Sequence, residues 1–352
     1  MNFDFYKGKT VLITGHTGFK GSWLSLILSN LGANVVGYSL APKKDNNLFS
    51  ILQLDKKVTS IISDIRDKNF VNSIFDKYQP QIVFHLAAQP LVRDSYLAPH
   101  YTYDVNINGT LNVLDSVYKT RSVKSFVNVT TDKVYKNNET DRFFKEGDPL
   151  DGYDPYSNSK SCSDLITNCY KRCFLNDSNV AVSIVRAGNV IGGGDFSKDR
   201  IIPDCINAAI ENKSIVIRNP NSIRPYQYVL EPLFAYLLIA REQYENKKIS
   251  GTYNIGPNPK DCVTTKELVD MFCKEWGNGS NWISKNDSNA PHEANFLKLD
   301  CEKIKTTFNW NPIFSISDAI KKVCDWYKAY FSNKNILNLT LDQINEYQDK
   351  IN

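Results

Sequence analysis

The chain has 352 residues, of which 42% are hydrophobic and 23% charged, and its formal net charge is +4. This composition is typical of a globular protein and excludes a chain that is disordered over most of its length. The small net charge, without a dense Lys/Arg block, argues against nucleic-acid binding, and no apolar run is long enough to span a membrane.

The first half of the chain alternates strand and helix patterns. Buried strands are predicted at residues 10–14, 33–39, 58–62, 81–87, 124–129 and 180–187. Helices are predicted between them at residues 19–31, 67–78, 101–118 and 156–174. This alternation predicts an α/β fold with a Rossmann-type, doubly wound parallel sheet. Because ligands bind beyond the carboxyl ends of such strands, we expect the site at that edge.

The second half has a mixed pattern. Short strands are predicted at residues 215–218 and 252–255, and helices near residues 203–212, 231–244, 265–276 and 317–331. We therefore predict a dinucleotide-binding domain over residues 1–188. A smaller mixed α/β substrate-binding lobe is expected over residues 189–332, with some segments returning to the first domain. Residues 333–352 are predicted to form a polar C-terminal tail with a short helix.

A glycine-rich turn with the spacing Gly-x-x-Gly-x-x-Gly joins the first predicted strand to the first helix. Its first glycine permits the tight turn, the second lets the backbone approach a pyrophosphate, and the third allows the helix to pack on the sheet. The free N–H groups at the start of the helix would face a phosphate. The residues expected to bind the cofactor here are Gly15, Thr17, Gly18, Phe19, Lys20 and Gly21.

The adenosine half of the predicted cofactor site leaves the choice between NAD and NADP open. An acidic residue about 20 positions after the glycines usually holds the ribose 2′-hydroxyl, but Ser39 stands there. Lys43 and Lys44 follow, and they could meet a 2′-phosphate. Asp64 and Ile65 end the third strand, where we expect them to meet adenine.

Further cofactor contacts are expected after the fourth strand, in the next helix and after the fifth strand. Small side chains are needed where a cofactor lies against the backbone, and the segment after the fourth strand supplies them. The residues in this group are Leu86, Ala87, Ala88, Gln89, Asn106 and Thr130.

Tyr156 and Lys160 form a Tyr-x-x-x-Lys motif at the start of a predicted helix, which places both side chains on one face. A free tyrosine has a pKa of about 10, and a nearby ammonium lowers it by stabilising the phenolate. Such a tyrosine can take a proton from a substrate hydroxyl while hydride leaves the same carbon. With the glycine-rich turn, this motif resembles the extended short-chain dehydrogenase/reductase superfamily, which implies a nicotinamide cofactor in contact with both residues.

The stretch at residues 130–135 follows the fifth strand and should lie at the mouth of the site. In the nucleotide-sugar 4,6-dehydratases of this superfamily, the matching stretch reads Thr-Asp-Glu. The resemblance implies that Thr131 helps to activate the sugar's 4-hydroxyl and that Asp132 protonates the departing 6-hydroxyl. An acid at neutral pH needs a raised pKa, which a partly dry site provides.

Lys133 occupies the position of the glutamate that removes the C5 proton in those enzymes. The reference pKa of lysine is about 10.4, so Lys133 would act as a base only if burial or a neighbouring cation lowered this value. Alternatively, Lys133 positions Asp132 or the substrate, and another group is the base. The sequence leaves both possibilities open.

Longer strings resemble the CDP-glucose 4,6-dehydratase subfamily, which carries the Asp-Lys pair. These strings are GHTGFKGSW, HLAAQPLVRDSY, TTDKVYKNNE, DPYSNSK, RAGNVIGGGD, IRPYQYVLEPL and PHEA. The resemblance implies that NAD, with NADP not excluded, serves the conversion of CDP-glucose to CDP-4-keto-6-deoxyglucose, for deoxysugar and surface polysaccharide biosynthesis. Tyr226 and Tyr228 depart from the Trp and His expected there, which leaves the base and the sugar open.

The diphosphate of such a substrate carries negative charge, for which guanidinium groups are suited. By resemblance, Asn189 and Arg224 contact the diphosphate. The residues expected to bind substrate are Gln89, Arg93, Asn189, Arg200, Arg218 and Arg224. The resemblance also implies a homodimer or homotetramer, in which the long helix after the fourth strand and the Tyr156 helix pack against their copies.

The cysteines and histidines predict no metal site. No Cys-x-x-Cys pair occurs, and Cys169 and Cys173, four residues apart, do not supply the four ligands of a zinc site. His16 and His85 are predicted to be structural, whereas the role of His292 is open. Reduced thiols and the lack of a signal-peptide pattern predict a cytoplasmic protein.

Other functions also stay open from the sequence. One is a 4-epimerase or 4-dehydrogenase, or a dehydratase of GDP-mannose, dTDP-glucose or a nucleotide-heptose, since all would use the same turn and tyrosine. Another is a non-catalytic NAD-binding protein. The joint presence of Thr131, Tyr156 and Lys160 argues against the second.

Overall fold

A parallel seven-stranded sheet forms the centre of the computed structural model, which describes residues 3–42, 46–285 and 296–351. Numbered in chain order, its strands are β1 Thr10–Thr14, β2 Asn34–Ser39, β3 Thr59–Ile62, β4 Ile82–His85, β5 Ser125–Val129, β6 Ala181–Ala187 and β7 Thr252–Ile255. They are arranged in the order β7-β6-β5-β4-β1-β2-β3. The Rossmann-type α/β prediction is confirmed. The order reverses between β1 and β4, where such sheets open a crevice for ligands.

Helices pack on both faces of this sheet. They are α1 Phe19–Asn30, α2 Leu48–Ile51, α3 Lys68–Tyr78, α4 Val92–Leu97, α5 Pro99–Tyr103, α6 Gly109–Lys119, α7 Pro155–Cys173, α8 Ile201–Ile210, α9 Leu230–Glu245, α10 Thr265–Trp276, α11 Glu302–Phe308, α12 Ile316–Phe331 and α13 Ile336–Ile351. Short strands pair outside the main sheet: Phe143–Phe144 with Lys298–Leu299, Val190–Ile191 with Gln227–Tyr228, Ile215–Ile217 with Trp282–Ser284, and Ile223–Arg224 with Val263–Thr264. No helix in the described ranges is both long and apolar enough to cross a membrane.

Strand β1 shows why the central strands carry runs of consecutive apolar residues. Val11 and Ile13 belong to the larger core, which also contains residues of α1 and α9, whereas Leu12 belongs to a second core with residues of α3 and α6. Successive strand residues point to opposite faces, so a sheet covered on both sides buries all of them. A continuous apolar run is therefore the correct sequence signature for this layer.

Helix α7 begins where its sequence supplies an N-cap. Asp154 Oδ1 accepts a hydrogen bond from the backbone N–H of Ser157 at 2.9 Å, and Pro155 takes the first helical position. Both features favour a helix start. Tyr156 consequently lies in the first turn of α7, and this helix packs on the turn that follows β5.

The long helix predicted at residues 101–118 is interrupted in the structure. A π-helical turn at Asp104–Asn108 joins α5 to α6. Gly109 then begins α6 at a position where a Cβ would lie 2.7 Å from Ile65 Cγ2, so α6 packs closely on the loop after β3. Single π turns of this kind often lie at functional sites.

The boundary predicted at residue 188 does not end the chain's contribution to the main sheet. Strand β7, which the sequence analysis grouped with the smaller lobe, pairs with β6 and makes the sheet seven strands wide instead of six. Helix α9 packs against β5 and β6. The segment that includes α9 and β7 therefore belongs structurally to the sheet layer.

The C-terminal segment is more than a polar tail. Helix α13 is longer than the short helix expected there, and Ile344 and Tyr347 on it are fully buried. The hydroxyl of Tyr347 donates a hydrogen bond to Glu231 Oε2 at 2.7 Å. The apolar face of α13 thus completes the core beside α9 and α12.

Candidate active site

A cleft of about 310 Å³ opens at the carboxyl ends of β4, β5 and β6, the edge at which the sequence predicted the site. It is lined by all five residues predicted to be catalytic: Thr131, Asp132, Lys133, Tyr156 and Lys160. Further lining residues come from the segment after β6, from α8 and from the strand Ile215–Ile217. A cavity of this size is within the range of small-molecule sites.

The glycine-rich turn makes the close approaches that its spacing predicted. Gly15 has a φ of +78°, and a Cβ there would lie 2.8 Å from the backbone nitrogen of Ala87. A Cβ on Gly21 would overlap the carbonyl group of Gly15. Gly18 is the N-cap of α1. Side chains are thereby excluded from the turn, and the first N–H groups of α1, which have no partner within the helix, can face a phosphate.

Two further residues of this turn, Phe19 and Lys20, line the cleft. Burial and the charge of Arg200 lower the pKa of Lys20 to about 8, whereas Asp132 acts in the opposite direction. The ammonium of Lys20 therefore lies in the field of the catalytic groups. The sequence analysis assigned Lys20 to the cofactor alone.

Ser39 lies at the end of β2, beside the glycine-rich turn. The hydroxyl of Thr17 donates to the carbonyl of Leu40 at 2.9 Å and lies 2.9 Å from Ser39 Oγ. Since the Thr17 proton is used, Ser39 is the donor in this pair. Lys43 and Lys44, the predicted contacts of a 2′-phosphate, lie outside the described residues.

Asp64 is ion-paired within the structure. Its carboxylate lies 2.7 Å from Arg66 Nη2, and Arg66 also reaches Asp104 at 3.2 Å. The hydrogen bond from Arg66 holds the pKa of Asp64 below its usual value. An adenine contact through this carboxylate would compete with Arg66, while the neighbouring Ile65 is buried against α6.

Gln89 and Asn106 brace the loop after β4 instead of lining the cleft. Asn106 Oδ1 accepts from Gln89 N at 2.8 Å, and its Nδ2 donates to Ser159 Oγ at 2.8 Å. The side-chain amide of Gln89 donates to Thr102 Oγ1 at 2.9 Å, and its oxygen accepts from Leu91 N at 2.6 Å. Both side chains are buried and already engaged. These internal hydrogen bonds fix the loop after β4, and the contacts of both residues with a ligand stay predictions.

The remaining predicted cofactor contacts after β4 and β5 lie at the cleft. Leu86, Ala88 and Thr130 line it. The backbone N–H groups of Leu86 and Ala87 both donate to Thr14 Oγ1 at 3.1 Å, which fixes the start of this loop against β1. The backbone therefore stays close to the glycine-rich turn.

Asp132 has the environment of an acid that keeps its proton. Thr131 Oγ1 donates to Asp132 Oδ1 at 2.9 Å, whereas Oδ2 is buried and has no hydrogen-bond partner among the described residues. Burial raises the pKa of Asp132, although the charges of Lys133 and Arg224 act in the opposite direction. The direction is the one that a general acid requires.

Tyr156 differs from its prediction. Burial raises its pKa to about 12, although a hydrogen bond with Thr131 and the charge of Arg200 lower it. The expected lowering by Lys160 is not seen, because Lys160 Nζ donates instead to the carbonyl oxygen of Val129 at 2.8 Å. Thr131 and Arg200 are thus the groups that favour the phenolate.

Lys160 lies in a strongly desolvated position. Burial, together with the charge of Lys20, lowers its pKa to about 7, and Asp164 partly opposes this effect. Lys133 also lines the cleft, and its backbone N–H donates to Thr131 Oγ1 at 3.4 Å. The turn after β5 therefore ties Thr131, Asp132 and Lys133 into one unit.

Four predicted substrate-binding arginines line the cleft, and three of them approach carboxylates. Arg93 Nε and Arg218 Nη1 lie 3.5 Å and 3.3 Å from Asp199 Oδ1. Arg200 Nη1 lies 3.4 Å from Asp195 Oδ2. The carboxylates hold these guanidinium groups along one side of the cleft.

The fourth arginine, Arg224, is buried, and its Nη1 donates to the carbonyl of Ile223 at 2.9 Å. Asn189 lines the cleft and hydrogen-bonds the phenol of Tyr226. Tyr226 and Tyr228, which differ from the residues that the resemblance implies, lie in different parts of the structure. Tyr226 lines the cleft, whereas Tyr228 lies in the core.

Several lining residues were not assigned to the site from the sequence. They are Asp199, Asp204, Asn219, Ser222 and Thr265. The sequence could have placed Asp204 at the site, because it lies four residues after Arg200 and therefore on the same side of a helix. The helix was predicted to start near residue 203, whereas α8 starts at Ile201 with Arg200 as its N-cap, so this relationship was missed.

His16 and His85 are structural, as predicted. His16 Nε2 lies 2.7 Å from Ser60 Oγ, and burial lowers its pKa to about 4. His85 bridges Thr14 and Thr110, and burial lowers its pKa to about 3. His292, with its PHEA string, lies outside the described residues. Within the described ranges, no group of three or more His, Cys, Asp or Glu side chains is placed to hold a metal ion.

Comparison with known proteins identifies relatives along almost the whole chain. A family model described as GDP-mannose 4,6 dehydratase matches residues 12–323. The CDP-glucose 4,6-dehydratase of Salmonella typhimurium is 43% identical over 350 residues, which cover 98% of this chain and 97% of the relative. The dTDP-D-glucose 4,6-dehydratase of Bos taurus is 28% identical and covers 92% of this chain and 90% of its own.

Solved structures share the fold. The dTDP-glucose 4,6-dehydratase of Bacillus anthracis in complex with NAD has a TM-score of 0.77 at 21% identity, covering 94% of this chain and 100% of that one. The UDP-glucose 4-epimerase of Thermotoga maritima with UDP-glucose has a TM-score of 0.80 at 22% identity, covering 92% and 99%. The family model and the Salmonella relative carry the assignment further: the chain belongs to the GDP-mannose 4,6 dehydratase family of nucleotide-sugar enzymes, within the extended short-chain dehydrogenase/reductase superfamily.

Proposed function

We propose that the chain removes water from a nucleotide-diphosphate sugar and converts CDP-glucose to CDP-4-keto-6-deoxyglucose. The observation that carries this proposal is the buried carboxyl of Asp132, which has a raised pKa, accepts a hydrogen bond from Thr131 and lines the cleft. A 4-epimerase needs the tyrosine but has no use for such an acid. The name of the Salmonella typhimurium relative supports CDP-glucose as the substrate.

The β1–α1 turn fits the pyrophosphate of a dinucleotide, because Gly15 and Gly21 leave room only for backbone there. The residues that would hold the cofactor are those of this turn with Ser39, the loop after β4, Thr130, Tyr156 and Lys160. NAD supplies a reversible hydride acceptor, so it is regenerated in each turnover. The NAD complex of the Bacillus anthracis enzyme supports NAD as this cofactor.

Tyr156 is the group that takes the proton of the sugar's 4-hydroxyl. To accept this proton Tyr156 must first be ionised, and burial, which raises its pKa to about 12, opposes that ionisation. The hydrogen bond with Thr131 and the positive charge of Arg200 favour the phenolate, since both act to lower this pKa. Thr131 thus connects the base Tyr156 to the acid Asp132.

Asp132 supplies the proton for the elimination. A ketone at C4 acidifies the C5–H bond, because the carbanion spreads onto the ketone oxygen. As a base takes the C5 proton, Asp132 donates its proton to the 6-hydroxyl, the C6–O bond breaks, and water leaves. The hydride that left C4 would then return to C6 and a proton to C5, which gives the 6-deoxy sugar. Lys133 lines the cleft beside this acid, where it acts as the C5 base or positions Asp132.

A product assay tests the proposal. The purified protein is given NAD and, in separate reactions, CDP-glucose, dTDP-glucose, GDP-mannose and UDP-glucose, and the products are followed by NMR. We expect a 4-keto-6-deoxy sugar from CDP-glucose. A product that keeps its 6-hydroxyl would contradict the dehydratase and leave Asp132 without its role.

We further propose a homo-oligomer, either a homodimer or a homotetramer, in the cytoplasm that supplies deoxysugars. Large apolar side chains are exposed on α4, α6 and α7 and at the C-cap of α7, among them Leu97, Tyr118, Leu165 and Phe174, and such surface supports association. The eight free cysteines support a reducing compartment. Light scattering of the purified protein tests the oligomer, and a monomer at micromolar concentration would contradict it.

A further inference from the structure

Helix α8 extends from the predicted catalytic residues to Asp204, a second charged residue in the cleft. Its N-cap, Arg200, acts on the phenol of Tyr156. Asp204 lies four residues further along, which is about 6 Å on a helix axis, and it lies near Arg218. The strand Ile215–Ile217 packs against α8 at this end. The cleft therefore has a catalytic end at Tyr156 and a far end at Asp204.

Asp204 differs from the other carboxylate at the far end. Asp199 is paired with Arg93 and Arg218. Asp204 lines the cleft and is half-buried, but within the described ranges its side chain has no hydrogen bond or ion pair. Burial raises its pKa to about 6, although Arg218 and Arg93 act in the opposite direction. A desolvated acceptor without a donor is suited to an N–H group of a ligand.

The base of the nucleotide would lie at this far end. The proposed function places the reacting sugar beside Tyr156 and Asp132. The buried Arg224 lines the same cleft, its charge acts on Asp132, and it is the predicted contact of the diphosphate. A diphosphate follows the sugar, and the nucleoside follows the diphosphate. The far end is therefore reached by the base, which is the part of the substrate that differs between CDP-, UDP- and dTDP-sugars.

The three pyrimidine bases differ at position 4, where a carboxylate can distinguish a hydrogen-bond donor from an acceptor. Cytosine presents an amino group there, which is a donor, whereas thymine presents O4, which is an acceptor. Uracil presents the same O4. A carboxylate accepts from the amino group and repels O4. Asp204 consequently has the chemistry to separate cytosine from the other two bases.

We propose that Asp204 selects cytidine nucleotides by accepting a hydrogen bond from the 4-amino group of cytosine. This inference rests on the proposed function for the direction in which the nucleotide lies in the cleft. The partnered Asp199 holds Arg93 and Arg218 in place, and Asp204 is left to read the base.

Calorimetric binding of CDP and UDP tests this assignment without requiring turnover. The proteins compared are the wild type, Asp204→Asn, and Asp199→Asn as the matched control. A charge-assisted hydrogen bond is worth enough for a change of about tenfold or more in affinity. We expect the wild type to prefer CDP by about tenfold or more. Asp204→Asn should lose most of this preference, mainly through weaker CDP binding.

The Asp199→Asn control and the pH dependence of the wild type separate the base contact from other effects on affinity. Asp199→Asn should change the affinities for CDP and UDP by the same factor, because it disturbs arginines and not the base contact. In the wild type, the preference for CDP should also fall between pH 8 and pH 5, since Asp204 then gains a proton. The charged groups that act on Asp204 are Arg218, Asp199 and Arg93. The Asp199→Asn protein keeps Asp204 and should therefore also show a fall.

These experiments distinguish a failure of the proposed function from a failure of the role assigned to Asp204. A preference for CDP that survives in Asp204→Asn, or one that does not change between pH 8 and pH 5, would overturn the role of Asp204 even if CDP-glucose is dehydrated. A wild type that makes no 4-keto-6-deoxy sugar but prefers CDP through Asp204 would overturn the proposed function and support the base contact. A wild type that binds CDP and UDP equally would overturn the base contact.

Discussion

The guanidinium of Arg186 in β6 binds both carboxylate oxygens of Asp164 in α7, with Nε 2.7 Å from Oδ2 and Nη2 2.9 Å from Oδ1. Both side chains are buried, and Arg186 Nη1 also donates to the Tyr135 hydroxyl at 2.9 Å. Asp164 lies one helical turn after Lys160. The pair therefore fixes α7 against the sheet next to the predicted catalytic residues Tyr156 and Lys160.

Breaking this pair should destabilise the fold. Asp164→Asn leaves the Arg186 charge buried without its partner, and we expect a loss of about 3 to 5 kcal/mol in the free energy of unfolding, measured with urea. The exposed pair Lys213–Glu211 provides the control, because solvent screens it and Glu211→Gln should change the free energy of unfolding little. Losses of equal size in the two variants would contradict the structural role of the buried pair.

Asp132→Asn should separate oxidation at C4 from loss of water. The amide cannot donate an acidic proton to the 6-hydroxyl, so the dehydration rate should fall by about 10²- to 10⁴-fold. Exchange of the C5 proton with deuterated solvent, followed by NMR, reports whether the 4-ketone still forms. Normal water loss by Asp132→Asn would refute its role as the acid.

The same variant gives a test of the raised pKa that is independent of activity. A carboxyl whose folded pKa lies above its unfolded value contributes stability below the unfolded pKa, and this contribution is lost as the pH rises through the folded pKa. Removing the titratable group should therefore stabilise Asp132→Asn relative to the wild type more at pH 8 than at pH 4. Urea unfolding at the two pH values measures this difference, and an equal offset at both would contradict it.

The catalytic motifs could be predicted because their geometry is local. Tyr156 and Lys160 lie on one face of α7 by helical spacing, and the turn from Gly15 to Gly21 needs glycine for reasons confined to that turn and the neighbouring β4 loop. The contacts of each side chain were harder to predict from the sequence. Lys160 was expected to face the phenol, yet it donates to the carbonyl of Val129 on the neighbouring strand.

The missed features depend on segments that are far apart in the chain. Asn106 and Gln89 brace each other because a π turn interrupts the helix predicted there, and no periodicity in the sequence indicates such a turn. Asp204 and Arg218 share the cleft only because α8 packs on the next short strand. Strand β7 has the same short pattern as strands outside the main sheet, so its place beside β6 follows from tertiary packing.

Tyr156→Phe should stop the reaction at its first step. We propose that the phenol accepts the proton of the 4-hydroxyl, and general-base removal usually costs about 10²- to 10⁴-fold in rate. Tyr226→Phe is the matched control, because its phenol also lies in the cleft but contacts Asn189 and Thr265. We expect Tyr226→Phe to keep most of the turnover rate, as measured by product NMR. Equal rates in the two variants would contradict the assignment of Tyr156.

Glu231 should make the stability of the fold depend on pH. Its carboxylate accepts hydrogen bonds from the backbone N–H groups of Ile313 and Phe314 and from the Tyr347 hydroxyl, so it joins α9 to the C-terminal part of the chain. Burial nevertheless outweighs these bonds and raises its pKa from 4.5 to about 7. The ionised form is therefore disfavoured in the folded protein.

The sign of the effect follows from this shift. Because the folded pKa is the higher one, the contribution of Glu231 is fully present below pH 4.5 and is lost as the pH rises through about 7. The loss is of the order of 3 kcal/mol. Urea unfolding of the wild type and Glu231→Gln between pH 4 and pH 8 should show a difference that grows in favour of the variant. Glu346→Gln is the control with the opposite sign, since the hydrogen bond from Lys322 lowers the pKa of Glu346. A constant offset between wild type and Glu231→Gln across this range would show that Glu231 does not titrate there.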